Sequence, residues 1–350
     1  MKIGIITLFG LYNYGNRLQN LAVSQIIANQ GYEAETIVCS SWSIRTLIKH
    51  FLGFVCFFTK ESRRKKAFIR FNKKYIKSIN IKSRNAQIPT TIDEFYQYFV
   101  VGSDQVWNPE IRKKERNNFF LQFTTKNKRI CLAPSMGVTK IGRQYEEEFR
   151  YLLQGFKILS CREQEGSAEI QRLTQKSCEH LIDPTLALDK GYWKRIGNSN
   201  DLPTGSYVLS IFIGEKNGVA QKYMDFYRRK GFNVIDLLNK KDKYYIKGPE
   251  YFISLIEHAY LVLTDSFHAV AFSINFNTNF FVFDRGIVSG CNMLSRIQSL
   301  LRVMKLENRL VNENTSYSEV SVDFTTSNII LEKERGKFYN YVNKVIPLVH

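Results

Sequence analysis

The sequence predicts an α/β protein built from two Rossmann-like domains that face each other across a cleft. Three observations predict it. Short apolar runs alternate with longer helical ones along the chain, a pattern that implies right-handed βαβ units and parallel sheets. The alternation falls into two blocks, parted near 186–206 by a polar linker that contains GNSNDLPTG. And 350 residues, 44% hydrophobic and 14% aromatic, are long for a single core. The expected division is 1–188 and 189–350, with a basic, aromatic insertion at about 43–90 in the first domain.

In the first block, KIGIITLF (2–9) reads as a strand and RLQNLAVSQIIANQG (17–31) as a helix closed by glycine. AETIVC (34–39), YFVVGS (98–103) and RICLAPSMG (129–137) carry the next strands. RQYEEEFRYLLQG (143–155) is helical, KILSCRE (157–163) extended, and EGSAEIQRLTQ (165–175) helical again. HLIDPTLALD (180–189) closes the block. The second block runs strand SYVLSIFIG (206–214), helix 217–231, strand FNVIDLL (232–238), helix 249–259 and strand YLVLTD (260–265). A helix over about 266–276, strand NFFVFD (279–284) and helix 292–304 complete it.

In open parallel sheets, ligands bind beyond the carboxyl ends of the strands. The polar residues just after each strand are therefore the functional candidates. After the first strand come Asn13, Asn16, Arg17 and Gln19, where a helix begins. Free N–H groups there suit an anion, although Asn is equally a helix cap. No GxGxxG dinucleotide fingerprint is present. After VV come Ser103, Asp104 and Trp107; Asp104 either fixes a hydroxylated ligand or caps a helix. Arg162 leaves an otherwise apolar strand, so it either pairs with Glu163 or Glu165 or meets an anion. After YLVLT come Asp265, Ser266 and His268, an acid, a hydroxyl and an imidazole at one strand-to-helix turn. Asp265 is expected to orient that loop or cap the helix, and His268 to be the acid/base. Four such loops on one edge favour an active site over four separate caps.

Composition narrows the setting. Six cysteines (39, 56, 131, 161, 178, 291) show no CxxC and no metal-ligand spacing, so buried free thiols, a reducing cytoplasm and no metal are expected. The N-terminal apolar run lacks a small-residue cleavage site and reads as a strand, and no stretch is long enough to span a bilayer. The net charge of +18 is concentrated: 13 bases against Glu61 lie between Arg45 and Arg84, which is +12. No nucleic-acid-binding signature accompanies them, so no nucleic-acid partner is expected. That segment either covers the first domain's core as a solvated basic helix pair or docks on the anionic inner face of the cytoplasmic membrane.

The stretches NYGNRLQN (13–20), VVGSDQVWNP (100–109), APSMG (133–137), SCREQEGS (160–167), LIDPTL (181–186), LTDSFHAVAFS (263–273) and FDRGIVSGCNMLSRI (283–297) form an ordered set spanning nearly the whole chain. In that order they resemble the polysaccharide pyruvyl transferases. The resemblance implies a GT-B-like pair of domains and transfer of the pyruvyl group of phosphoenolpyruvate to sugar hydroxyls as a ketal. It implies phosphoenolpyruvate as co-substrate, no cofactor, and a sugar or lipid-linked oligosaccharide acceptor in cell-envelope or capsular polysaccharide synthesis. By resemblance Asp104, Arg162 and His268 match active-site positions of the family. Many members carry Arg-Leu-His where this chain has Ser266-Phe267-His268; a branch carries the Ser-Phe-His form. Ser266, Arg285 and Arg296 are then expected to complete the donor site, and Asn13, Asn16, Arg17, Gln19 and Trp107 to line the cleft on the acceptor side. Two other classes stay open: a GT-B-like glycosyltransferase using a nucleotide sugar, and a non-catalytic membrane-associated scaffold in glycan assembly.

Overall fold

The computed structural model describes residues 1–10, 12–41, 59–83, 85–285, 287–288, 291–292, 294–312 and 315–349. The basic-aromatic stretch over 42–58 and Arg84 lie outside these.

Five parallel strands build the first sheet: β1 (Lys2–Ile6), β2 (Glu33–Ser41), β3 (Ser78–Ser83), β4 (Tyr98–Val101) and β5 (Arg129–Cys131), in the order β3-β2-β1-β4-β5. Ile3 pairs with Ala34 on one side and Tyr98 on the other. Ile3, Ile5, Phe99 and Val100 are fully buried, as a parallel sheet covered on both faces requires. Beside β5 a short parallel pair, β6 (Leu159–Cys161) and β7 (Cys178–His180), extends this unit. The second sheet holds β8 (Tyr207–Ile211), β9 (Asn233–Asp236), β10 (Leu261–Thr264) and β11 (Phe280–Val282), all parallel, in the order β11-β10-β8-β9.

Strand order reverses between β1 and β4 in the first sheet and between β8 and β10 in the second. Both crevices lie at carboxyl ends of strands, where open α/β sheets bind ligands. The elements that follow these strands meet between the domains. They are α1 (Tyr14–Asn29), and, in the second unit, α8 (Pro249–Glu257) and α9 (Phe267–Phe276) in a series whose earlier helices are α2 (Lys60–Tyr75), α3 (Arg143–Leu153), α4 (Gln164–Thr174), α5 (Pro184–Ala187), α6 (Lys190–Ile196) and α7 (Gly218–Arg229). The arrangement is GT-B-like: two Rossmann-like sheets with facing crevices. One apolar cluster runs through both, joining Ile5, Leu18 and Ile26 to Leu209, Phe272 and Ile274. After α10 (Ser295–Met304), the last helix α11 (Thr325–Val345) crosses back to the first unit, where Tyr341 donates to the Cys131 carbonyl at 2.8 Å.

α1 starts three residues earlier than the periodicity predicts. Asn13 caps it, accepting the Asn16 N–H at 3.1 Å. Gly15, Asn16 and Arg17 therefore sit in the first helical turn rather than in a loop.

The basic stretch from Lys60 is the single helix α2, capped by Thr59, and it is packed between domains rather than over the first domain alone. Arg64, Ala67, Phe68 and Phe71 form its buried face. Arg64 donates from Nη1 to the Tyr14 hydroxyl (2.7 Å) and the Tyr245 carbonyl (2.6 Å), and from Nη2 to the Tyr12 carbonyl (3.3 Å). One guanidinium thus ties α1's entry to the second domain. Cys39, Cys131, Cys161 and Cys178 are free thiols, and burial raises the pKa of each. Among the described residues no helix is long and apolar enough to cross a membrane.

Candidate active site in the interdomain cleft

The loop after β4 supplies the floor. Asp104 has φ +71°, in the left-handed region that costs a non-glycine residue conformational energy. The surroundings hold it there: its carbonyl accepts the Ser135 N–H at 2.8 Å, and its Oδ1 accepts the Gln105 N–H at 2.9 Å. Its Oδ2 accepts from the Asn16 amide. Behind it Gln19 donates to the Thr7 hydroxyl (2.8 Å), which donates to the Ser103 carbonyl (3.1 Å). Asn16 and Gln19, expected to line the cleft, are occupied in bracing Asp104 across the first switch point.

Arg17 is fully buried, stacked 3.7 Å over the Phe9 ring, with Nη2 donating to the Leu8 carbonyl at 3.3 Å. Its Nε and Nη1 have no protein acceptor. Burial lowers its pKa to about 10, partly offset by Asp104, so it stays charged at neutral pH.

Arg162 leaves β6 into the cleft. Its Nη1 donates to Asp183 Oδ2 at 2.8 Å, its Nε to Glu163 at 3.2 Å, and its guanidinium lies 4.0 Å over the Phe267 ring of the other domain. Its Nη2 has no protein partner although the side chain is buried. Burial works against its charge, but Glu163, Asp183 and Asp104 outweigh burial and raise the pKa above the ordinary value. The pairing with Glu163 is present, joined by Asp183, and the N–H groups of Nη2 have no protein acceptor.

Asp183 is the residue the sequence reading passed over. It sits at the end of LID, before Pro184, and caps α5 by accepting from Thr185 N (3.0 Å) and Oγ1 (2.8 Å) with Oδ1. Its Oδ2 accepts from Arg162 and from Ser103 Oγ (3.0 Å) and lies 3.9 Å from His268 Nε2. The signal was an acid directly after an apolar run; its capping role masked it. Burial opposes the carboxylate, yet His268, Arg162 and the Thr185 N–H together bring its pKa down to about 2.

His268 opens α9. The ring is buried, and burial lowers its pKa despite Asp183 and Asp104, with Arg162 and Arg296 adding to the depression. The imidazole is therefore neutral at pH 7, and Arg162 is the cation that faces Asp183 at rest. Nε2 has no hydrogen-bond partner in the protein. Ser266 stands at the N-cap position of α9 without a side-chain capping bond. With Asn13, Tyr12 and Gly15 it lines a cavity of about 110 Å³ between the domains.

Asp265 does not cap α9. Its carboxylate accepts the N–H groups of Ile213 (2.7 Å) and Gly214 (2.8 Å) and the Nε of Arg285 (2.9 Å). Arg285 also donates to the Asp265 carbonyl at 2.7 Å. Its expected role on the donor is corrected accordingly: the guanidinium is spent on fixing the β8 and β10 loops. Trp107 is likewise a core residue, not a cleft wall. It is 1% exposed, donates to the Phe119 carbonyl at 3.0 Å and stacks on Phe120.

Arg296, from the second domain, does reach the site. With the Gln105 amide oxygen turned toward it, Nη1 and Nη2 are 3.1 and 3.0 Å from that oxygen in the Asp104 loop. Burial, and then Arg162, lower its pKa to about 10, with Asp104 and Glu163 pulling the other way.

Fold and site together define a two-domain α/β protein whose cleft holds a neutral histidine, two acids and several arginines. Its chain path is similar to that of the UDP-GlcNAc 2-epimerase of Neisseria meningitidis solved with UDP-GlcNAc (9% identity, 100% of this chain and 95% of that one, TM-score 0.46). It is also similar to the ADP-heptose LPS heptosyltransferase II of E. coli (11% identity, 97% and 99%, TM-score 0.34). No curated protein matches. The chain belongs to the polysaccharide pyruvyl transferase family, whose model matches residues 13–286.

Proposed function

We propose that the protein transfers the pyruvyl group of phosphoenolpyruvate onto two hydroxyls of a sugar as a ketal, during synthesis of a cell-envelope or capsular polysaccharide. One observation carries this reading beyond the family: Arg162 keeps an unpartnered, buried Nη2 beside the neutral His268 and the ionised Asp183. The donor carries a phosphate and a carboxylate, and charge-assisted bonds from guanidinium groups suit both. Arg162 and Arg296 would hold them, with Ser266 at the start of α9 next to the same cleft.

In the reaction the donor's methylene carbon takes a proton and becomes a methyl group. Two sugar hydroxyls bond to the neighbouring carbon, and its bond to the phosphate oxygen breaks. Of the two hydroxyl protons, one balances the new methyl group and the other departs with the phosphate. A neutral imidazole begins as the acceptor of such a proton. The imidazolium that forms is stabilised by Asp183, 3.9 Å away. Asp104 is the second acid of the site and faces Arg17, Arg162 and Arg296.

The test is a ligand comparison by thermal shift, followed by phosphate release in the presence of sugar acceptors. Phosphoenolpyruvate should raise the melting temperature of the wild type and lose that effect in Arg162→Ala. Stabilisation by UDP- or GDP-sugars with phosphoenolpyruvate inert would overturn the donor assignment in favour of glycosyl transfer.

A further inference from the structure

The outer face of α2 is a charged surface that no cleft chemistry uses. From Lys60 to Lys77 there are nine bases against the single acid Glu61, and Glu61 is paired with Lys240 at 2.6 Å. The buried face takes only Arg64 of these bases. Arg63, Lys66, Arg70, Lys73 and Lys74 are exposed, and the exposed Ile69 stands among them. The surface does not stop at the helix. Lys60 donates to the Lys241 carbonyl at 3.3 Å, which brings the exposed Lys240, Lys241 and Lys243 of the second domain alongside.

We infer that this two-domain basic face docks the protein on an anionic lipid bilayer. A broad array of exposed cations around one exposed aliphatic side chain suits a planar anionic surface, which attracts each nearby base and tolerates shallow apolar contact. A free phosphate is the poorer match. The concavity next to α2, lined by Arg63, Lys66, Arg70 and Lys247, also contains Glu250, whose carboxylate would oppose a discrete anion seated there. Docking would have a consequence for the cleft. α2 presses its inner side through Arg64 on Tyr12 and Tyr14, one turn from Asn16 and Arg17. A bilayer against its outer side would hold the cleft close to the membrane, within reach of a lipid-linked saccharide.

The experiment is co-sedimentation of the full chain with vesicles of neutral phosphatidylcholine or of phosphatidylcholine with phosphatidylglycerol, at low and high salt. No turnover is read, so the outcome is independent of the donor assignment. Binding should be confined to the anionic vesicles and be released by salt. Arg63→Gln, Arg70→Gln and Lys73→Gln together should lower the partition coefficient roughly 100-fold. A control that neutralises Lys222, Arg229 and Lys230, exposed at α7 and its end, should leave it within about 3-fold, since α7 packs on β8 and β9 and is not part of the α2 face. Melting curves of both variants should match the wild type. Equal binding to neutral vesicles, no binding to anionic ones, or equal losses in the two triple variants would overturn the inference.

Discussion

The imidazole of His268 lies against Gly15. A methyl group at Gly15 would come within 2.6 Å of the ring's Cγ and Cε1, and nearer still to Nδ1. The glycine is needed for close approach and not for an unusual backbone, because it lies inside the first turn of α1. Gly15 belongs to the first domain and His268 to the second, so the contact sets the ring's position from across the cleft. Gly15→Ala should therefore displace the imidazole from its present position relative to Asp183. Turnover is expected to drop roughly 100-fold, the scale set by a misplacement of about 1 Å. Melting temperature should change less than turnover does, since the displaced ring borders a cleft. Equal turnover in wild type and variant would show that the ring's position is not critical.

His268→Ala removes the proton acceptor itself. Turnover should fall about 10²–10⁴-fold, with little change in the KM for phosphoenolpyruvate. In the wild type, turnover should rise along an acid limb whose midpoint lies below 6.5, because burial depresses the ring's pKa from that value. Asp183→Asn separates the roles. It leaves Arg162 with Glu163 and the more distant Asp104 and removes the carboxylate that favours the imidazolium. The acid limb should move to still lower pH, and unfolding should cost about 3–5 kcal/mol less, as for a buried ion pair that loses one partner. A limb unmoved in Asp183→Asn would detach Asp183 from the histidine.

Most of the strand and helix order could be read from the chain, because apolar runs and 3.6-residue periodicity report directly on buried strands and one-sided helices. The residues after each strand could be read as candidates for the same reason. What they touch could not. Asp265 and Asp183 each follow an apolar strand-like run and precede a helix, yet Asp183 caps and Asp265 does not. The difference lies in Arg285, 20 residues on in sequence, which claims Asp265 through a contact that no local pattern encodes. Trp107 sits three residues after the strained Asp104 but turns into the core. Arg64 looked like one base in a run of four, and its burial depends on Tyr245 of the other domain.

The pH dependence of stability should show two separate ranges. His180 has a pKa lowered to about 4, first by burial and then by Lys337, and His268 is lowered as well. Below 6.5 the unfolded chain binds protons at these rings that the folded chain refuses, so the folded state loses ground as pH falls. Their contribution is complete above 6.5 and declines toward about 4. Asp183 acts further down: its support is present above 3.8 and lost as pH falls through about 2. Melting temperature followed from pH 7 downward should decline between about 6.5 and 4. His180→Gln should flatten that slope while leaving turnover unchanged. A slope identical to that of the wild type would mean that His180 is not the titrating group.

Arg285 and Arg296 should respond oppositely to removal, although both were expected on the donor. Arg285 is committed to Asp265 through its Nε and Nη2. Arg285→Ala would leave that buried carboxylate with two backbone N–H groups, at a cost of roughly 1.5–3 kcal/mol for the lost charged bonds. The KM for phosphoenolpyruvate should stay within about 2-fold, because the residue only positions loops. Arg296 is buried near Arg162, and burial first, then that like charge, depresses its pKa. Arg296→Met keeps most of the apolar stem and relieves that repulsion. The melting temperature should hold or rise, while donor affinity weakens roughly 10–100-fold through loss of a charge-assisted contact. Such a pairing, higher stability with poorer binding, is what a cation kept for a ligand produces. Measuring melting temperature and the KM for phosphoenolpyruvate in both variants decides it: a stability loss in Arg296→Met with unchanged KM would make Arg296 a structural residue like Arg285.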